Sequence, residues 1–380
     1  MAHDSFGDIP LFREIQRIMA AGTGPVNLEI ARQVAVALAS EGGAEPEPDP
    51  GALRVYEDDL RALEYVLAGY TRLPLVEPMR ASLATRSGWA RTTLDAWRWL
   101  FEAMSRRFTA ELGRLQGDAE AAGPLRATMG QIAPLLLGIQ AGTLVGHLAR
   151  ESTGRYDVPI PRDDDGKLFW IDRNVRAVAQ EHHLDPGALR SWLVLHDAAR
   201  HLVAATVPWL DRYHRSLLAD VVDAIEIDAS DLERRLVEMQ SKGMETLEEG
   251  MGAETALPIA PTERHRRAVA RLHGLVALCE GYARHAREAV ADEAVGDLTV
   301  VDAAMARRGA TTSAGEALLS GLTGVAPDRG LERAGATFCA AVARLHGPAA
   351  LNRVWDAPDD VPSIDEIRDP FTWMERVLGA

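Results

Sequence analysis

The stretch WLVLHDAARHLVAATVPWL, residues 192–210, brings together His196, Asp197, Arg200 and His201. Two histidines four residues apart on a helix, with a glutamate after the first, can hold a zinc ion and activate its water. Here the residue four on from His196 is Arg200, and the second histidine arrives one position late. A five-residue step turns a helix about 140° past the first side chain, so His196 and His201 point to different sides. Asp197 and His201 share a face at four-residue spacing. With a third group, such as His182 or His183 in QEHHLDP, they could hold a metal, but with no evident base behind it. A second acid enters from LVALCEGYARH, residues 275–285, where Glu280 interrupts an apolar stripe.

Both stripes belong to elements with clear signals. Asp185-Pro186 opens the first: aspartate is an N-cap acceptor, and proline is pre-set for the first helical turn. Leu189, Trp192, Leu193, His196, Ala199 and Val203 then recur on one face, and Arg200 lies on the same side. An inward arginine is costly unless an anion meets it. The second helix follows Thr262, with Val269, His273, Val276, Glu280 and Ala283 inward. Two readings stay open: Arg200 and Glu280 pair across the helices, or each sits at a stripe edge and reaches water.

Helical periodicity dominates the chain. The pattern predicts helices over 10–19, 28–39, 58–69, 92–115, 125–150, 186–205, 209–225, 263–291 and 330–345, with a short one over 370–377. Residues 42–52 read as an acidic Pro/Gly loop and 241–262 as a polar connection ending at a helix cap. YDVPIP and KLFWID flank a turn, RDDDG, and predict a hairpin over 156–172. The fold class is mainly α with at most that hairpin. The domain expectation is a single domain over 1–380 with two intimate lobes, about 1–155 and 156–380. Gly138, Gly142 and Gly146 recur every four residues, which lets another helix approach one face.

Of 380 residues, 47% are hydrophobic, and the net charge is −15. That charge argues against nucleic acid and against an anionic membrane surface as partners. The apolar run at 132–146 is shorter than the ~20 residues a bilayer span needs. Two cysteines, Cys279 and Cys339, are too few for a disulfide framework. With no basic, apolar leader at the start, the expectation is a cytoplasmic protein. The chain has no nucleophile elbow, phosphate loop or dinucleotide fingerprint. Cys279 reads as a core thiol, Trp355 and Trp373 as packing residues, and residues 264–267 and 307–308 as solvated helix faces.

Several runs together resemble a known family: GTGPVNLEIARQVA, GIQAGTLVGHLA with GRYDVPIP, WLVLHDAARHLVAATVPWL, LVALCEGYARH and LNRVWDAPDDVPSIDEIRDPFTWMERV. The chain is similar over almost its whole length to zincin-like proteins of actinobacteria and relatives. Those are labelled as candidate hydrolases, zinc-dependent metalloproteases or coenzyme F-420 biosynthesis-associated proteins. The resemblance implies a zincin-like helical core whose site helix reads H-E-x-x-H before VPWL, with a third ligand from a downstream E-G-[YH] run. On the register fixed by Val207-Pro208-Trp209-Leu210, His196 takes the first ligand position and Asp197 that of the general base. Arg200 takes the second histidine position and Glu280 the third ligand position, while His201 and Tyr282 are neighbours.

Arginine has no lone pair to give and stays charged, and aspartate is one methylene shorter than the glutamate base. The resemblance therefore implies a degenerate zinc site and a pseudoenzyme. No cofactor is expected, and a cleft remains for an unknown peptide, protein or small ligand. Arg200 is expected to replace zinc as the counter-charge to Glu280, with His196 and Asp197 completing the cluster. The alternatives are an active metal-dependent hydrolase with unusual zinc ligands, or an accessory protein of deazaflavin coenzyme biosynthesis.

Overall fold

Capping chemistry sets most helix starts in the computed structural model, which describes residues 24–116, 123–163, 165–231, 233–234 and 258–379. The helix expected over 10–19 and most of the 241–262 connection lie outside those residues. Helix α1 (Leu28–Ala39) begins where Asn27 accepts the amide of Ile30. Helix α2 (Pro50–Thr71) begins behind Asp49, which accepts the Gly51 amide. The acidic loop therefore ends three residues earlier than the composition suggests.

Strand β1 (Arg80–Leu83) leads into α3 (Arg86–Ala96) and α4 (Arg98–Gln116). The single helix expected over 92–115 is thus two, broken at Trp97. That ring is buried edge-on against Trp89, with centroids 6.2 Å apart. Then come α5 (Gly123–Glu151), β2 (Lys167–Trp170), α6 (Asp172–Glu181), α7 (Pro186–Thr206) and α8 (Leu210–Asp223). The 32-residue α9 (Glu263–Ala294) is followed by α10 (Thr299–Ala310), α11 (Ala314–Thr323) and α12 (Arg329–His346), then short helical turns.

The expected hairpin is absent. β2 pairs in parallel with β1, Arg80 opposite Lys167 and Leu83 opposite Trp170. Pro159 and Pro161 remove alternate ladder donors from 156–161, so that segment runs as irregular backbone. Trp170 makes a single antiparallel bridge to Gly154 instead. The fold is mainly α, with one two-stranded parallel sheet among the described residues.

The glycine series does what its spacing implies. A Cβ on Gly138 would come within 2.4 Å of the Asn27 carbonyl oxygen, and one on Gly142 within 2.6 Å of that of Ala31. On Gly146 it would meet Leu38 at 2.7 Å. Helix α5 therefore lies against α1 at backbone contact. No helix among the described residues is long and apolar enough to cross a membrane.

Helix α9 packs against α2, α7, α8 and α12. One buried cluster runs from Val26 to Met374, and Trp355 and Trp373 pack within it. His265, expected on a solvated face, is instead buried and bonded to the Thr323 carbonyl at 2.9 Å.

Candidate functional site

Helix α7 starts at the Asp185 cap, whose carboxylate accepts the Ala188 amide at 2.8 Å. Helix α9 starts at Thr262, which accepts the His265 amide. Its height against α12 is set by Gly281, next to Glu280. A Cβ on Gly281 would stand 2.2 Å from the Gly335 carbonyl carbon, and one on Gly335 would stand 2.1 Å from the Ala277 oxygen. Glycine at both crossing points lets the helices touch through their backbones. Glu280 is thereby carried toward α7.

There the Arg200 guanidinium donates from Nη1 to Glu280 Oε1. His196 Nε2 lies 3.1 Å from Glu280 Oε2. One carboxylate is thus shared by the two α7 side chains four residues apart. The pair is largely shielded: Arg200 keeps 10% of its side-chain exposure and Glu280 25%. Arg200 also lies over the Tyr156 ring, 5.3 Å from its centroid.

Burial, with Arg287 and Arg200 nearby, lowers the His196 imidazole to about 3, so the ring is neutral at ordinary pH. Its contact with Glu280 is then a hydrogen bond from Nε2–H to the carboxylate, not an ion pair. Nδ1 is buried without a partner. Trp192 stacks on His196 at 5.4 Å and 15°. The indole N–H of Trp192 donates to Asp302 at 2.8 Å, and Arg287 lies over that indole at 4.3 Å while holding the same Asp302. A tier of polar contacts therefore fixes the ring that fixes His196.

Asp197 departs from the expected cluster. One residue further round the helix, about 100° away, it is 1% exposed and turned toward Gly154 and Trp170. A Cβ on Gly154 would fall 2.5 Å from its Oδ2. That oxygen has no hydrogen-bond partner, the Trp170 indole lying near but outside bonding geometry. Burial and the Asp157 charge push the carboxyl well above the usual carboxylate range.

His201 is buried on another side of α7 and bonds to the Tyr156 hydroxyl at 3.0 Å. Tyr282 also stays out of the site: its hydroxyl donates to Asn352 at 2.7 Å. Among the described residues, no group of three or more His, Cys, Asp or Glu side chains is placed to share a metal ion. Catalytic zinc takes three protein ligands and an open position. Here two donors converge, and the Arg200 guanidinium is bonded to one of them. Among the described residues this arrangement does not supply three such ligands.

Beside the ion pair lies a cavity of about 280 Å³, between the irregular 155–163 segment, α7 and α8. Arg200 and Cys279 form part of its wall, and Arg162 and His214 line it too. Burial raises the Cys279 thiol, in keeping with a core cysteine. Periodicity singled out neither Arg162 nor His214, because the cavity joins a non-repeating loop to the side of α8.

Comparison with known proteins agrees with this architecture. A solved structure from Chloroflexus aurantiacus, described as a candidate hydrolase with a novel fold, superposes with a TM-score of 0.67. The alignment covers 92% of this chain and 98% of that one at 23% identity, so the likeness is one of fold. No curated protein matches. The family model described as zincin-like metallopeptidase matches residues 26–374. With the model spanning both site helices and nearly the whole described fold, the chain belongs to the zincin-like metallopeptidase family.

Proposed function

We propose that this chain is a non-catalytic member of its family, in which Arg200 is a built-in cation standing where a metal would neutralise Glu280, and in which the adjoining cleft binds a ligand. The Arg200–Glu280 ion pair, with His196 on the second carboxylate oxygen, carries this reading. Arginine cannot ligate a cation and repels one. Asp197, at the position a general base would take, is sealed from the cleft at 1% exposure. A base must reach the proton it removes, directly or through one water. Neither half of a metal-activated water mechanism is therefore supported by these side chains.

The test is Arg200→His. It should add a third nitrogen or oxygen donor to His196 and Glu280 and give a protein that takes up about one zinc per chain, measured on tag-free material after dialysis. Failure of Arg200→His to gain zinc would show that residue 200 does not face the ligand position. Equal zinc in the parent and the variant would return the chain to the metal-dependent hydrolases.

A further inference from the structure

The cations around the cavity are not equally matched. Arg200 is neutralised by Glu280. Arg155 reaches Asp165 at 3.0 Å, and Arg215 reaches Asp163 and Asp211, each at 2.8 Å. Arg162 is different. Its guanidinium donates to the hydroxyls of Thr93, at 2.5 Å, and Thr92, at 3.0 Å. It lies over the Phe169 and Trp89 rings, 5.0 and 5.5 Å from their centroids. No carboxylate among the described residues stands within ion-pair distance of it. Burial and the neighbouring Arg155 lower it to about 10, which leaves it charged at neutral pH. A guanidinium carries five N–H donors, and two hydroxyls leave several of them uncommitted. A shielded cation without an anion is costly, and this one belongs to a cavity wall.

His214, also in the cavity wall, supplies a second unmet group. Its Nε2 is buried without a partner. Burial and Arg200 lower the imidazole to about 3, while the Pro159 carbonyl, facing the ring as an acceptor, pulls the other way. The proton thus belongs on Nδ1, and Nε2 presents a lone pair. Between these polar points the wall is apolar, formed by Val158, Ile160, Val203 and Leu210. The volume, about 280 Å³, falls just below the ~300–1,000 Å³ typical of small-molecule sites, which calls for a small ligand.

We infer that this cavity binds a monocarboxylate with a short apolar body, its carboxylate on Arg162 and a hydrogen-bond donor of its own on His214 Nε2. The inference rests on the reading of the cleft as a ligand site, and it names the ligand class. One unmatched cation suits one negative charge. A planar carboxylate also meets a guanidinium fork in matched geometry. Two sources share this chemistry: a free short-chain hydroxy acid, whose hydroxyl would meet His214, and the C-terminal residue of a peptide, whose amide N–H would do so.

The experiment is titration calorimetry on the full chain with 6-hydroxyhexanoate and N-acetyl-leucine, against the uncharged 6-hydroxyhexanamide and N-acetyl-leucinamide. At least one acid should bind saturably and its amide should not. N-acetyl-leucine alone would identify the peptide source; 6-hydroxyhexanoate as well would identify free hydroxy acids. Arg162→Gln should weaken binding about ten- to a hundredfold, as expected for losing a charged hydrogen bond. Arg162 is also packed between rings, so Ala204→Trp, an exposed position on the cavity wall, is the independent variant. It should abolish binding in a folded protein. Amides binding as tightly as acids, binding unchanged in Ala204→Trp, or no binding by either acid would overturn the inference. None of these results depends on zinc content, so this inference and the account of Arg200 can fail separately.

Discussion

Replacing Arg200 with methionine would leave Glu280 as a shielded anion whose remaining contact is a hydrogen bond from a neutral imidazole. Breaking one side of a buried pair costs roughly 3–5 kcal/mol. Glu280 retains 25% of its side-chain exposure, so water recovers part of that, and the expected loss is about 2–4 kcal/mol. Glu280→Gln should cost a similar ~2–4 kcal/mol, because it strands the Arg200 charge against the Tyr156 ring while keeping an acceptor for His196. The double variant removes both charges and should lose only about 1 kcal/mol, giving a coupling of at least ~3 kcal/mol. Urea unfolding at fixed pH and salt reads all four corners, compared at matched m values. Additive single effects, or an Arg200→Met protein as stable as the parent, would refute the argument that Arg200 exists to neutralise Glu280.

Gly281→Ala would force a Cβ to 2.2 Å from backbone in α12 and should cost about 3 kcal/mol or more in unfolding free energy. Gly113→Ala, a helical position with open space around it, should instead be neutral or gain up to ~1 kcal/mol. Trp192→Phe keeps a ring over His196 but loses the bond to Asp302; chemical denaturation should show a loss of about 1–2 kcal/mol. For pH, the His214 imidazole is lowered to about 3 in the fold and lies near 6.5 in the unfolded chain. Below pH 6.5 the unfolded state takes up a proton that the folded state does not. Stability should therefore fall on acidification by up to ~1.4 kcal/mol per pH unit from this group, and His214→Asn should flatten that slope.

Local chemistry made much of this architecture legible. Asp185-Pro186 and Thr262 mark the starts of α7 and α9 because side-chain caps act within three residues. The glycines at 138, 142 and 146 announce a close helix neighbour because nothing else justifies their spacing in a helix interior. Pairing across distance was not legible. The β1–β2 register joins residues 80–83 to 167–170, with no alternation long enough to suggest it. KLFWID reads as half of a hairpin because its true partner lies nearly ninety residues upstream. Helices α10 and α11 bury few large side chains and so carry little periodic signal.

Within the site, the inward stripe placed His196, Arg200 and Glu280 on faces that do meet. Asp197 was misplaced because neighbouring helical residues diverge by about 100°, which sends it toward Trp170 and away from the cleft. Tyr282 follows Glu280 by two positions and faces Asn352 for the same reason. Arg162 and His214 become a pair only when the 155–163 segment folds over α8. No periodicity encodes that approach.

We propose that Arg200 holds the place where a metal would otherwise balance Glu280. Elemental analysis of the unmodified chain, purified without a histidine tag and exchanged into metal-free buffer after incubation with excess zinc, tests it most directly. Zinc should stand far below one equivalent per chain. About one zinc per chain that survives exchange and leaves only with a strong chelator would contradict it.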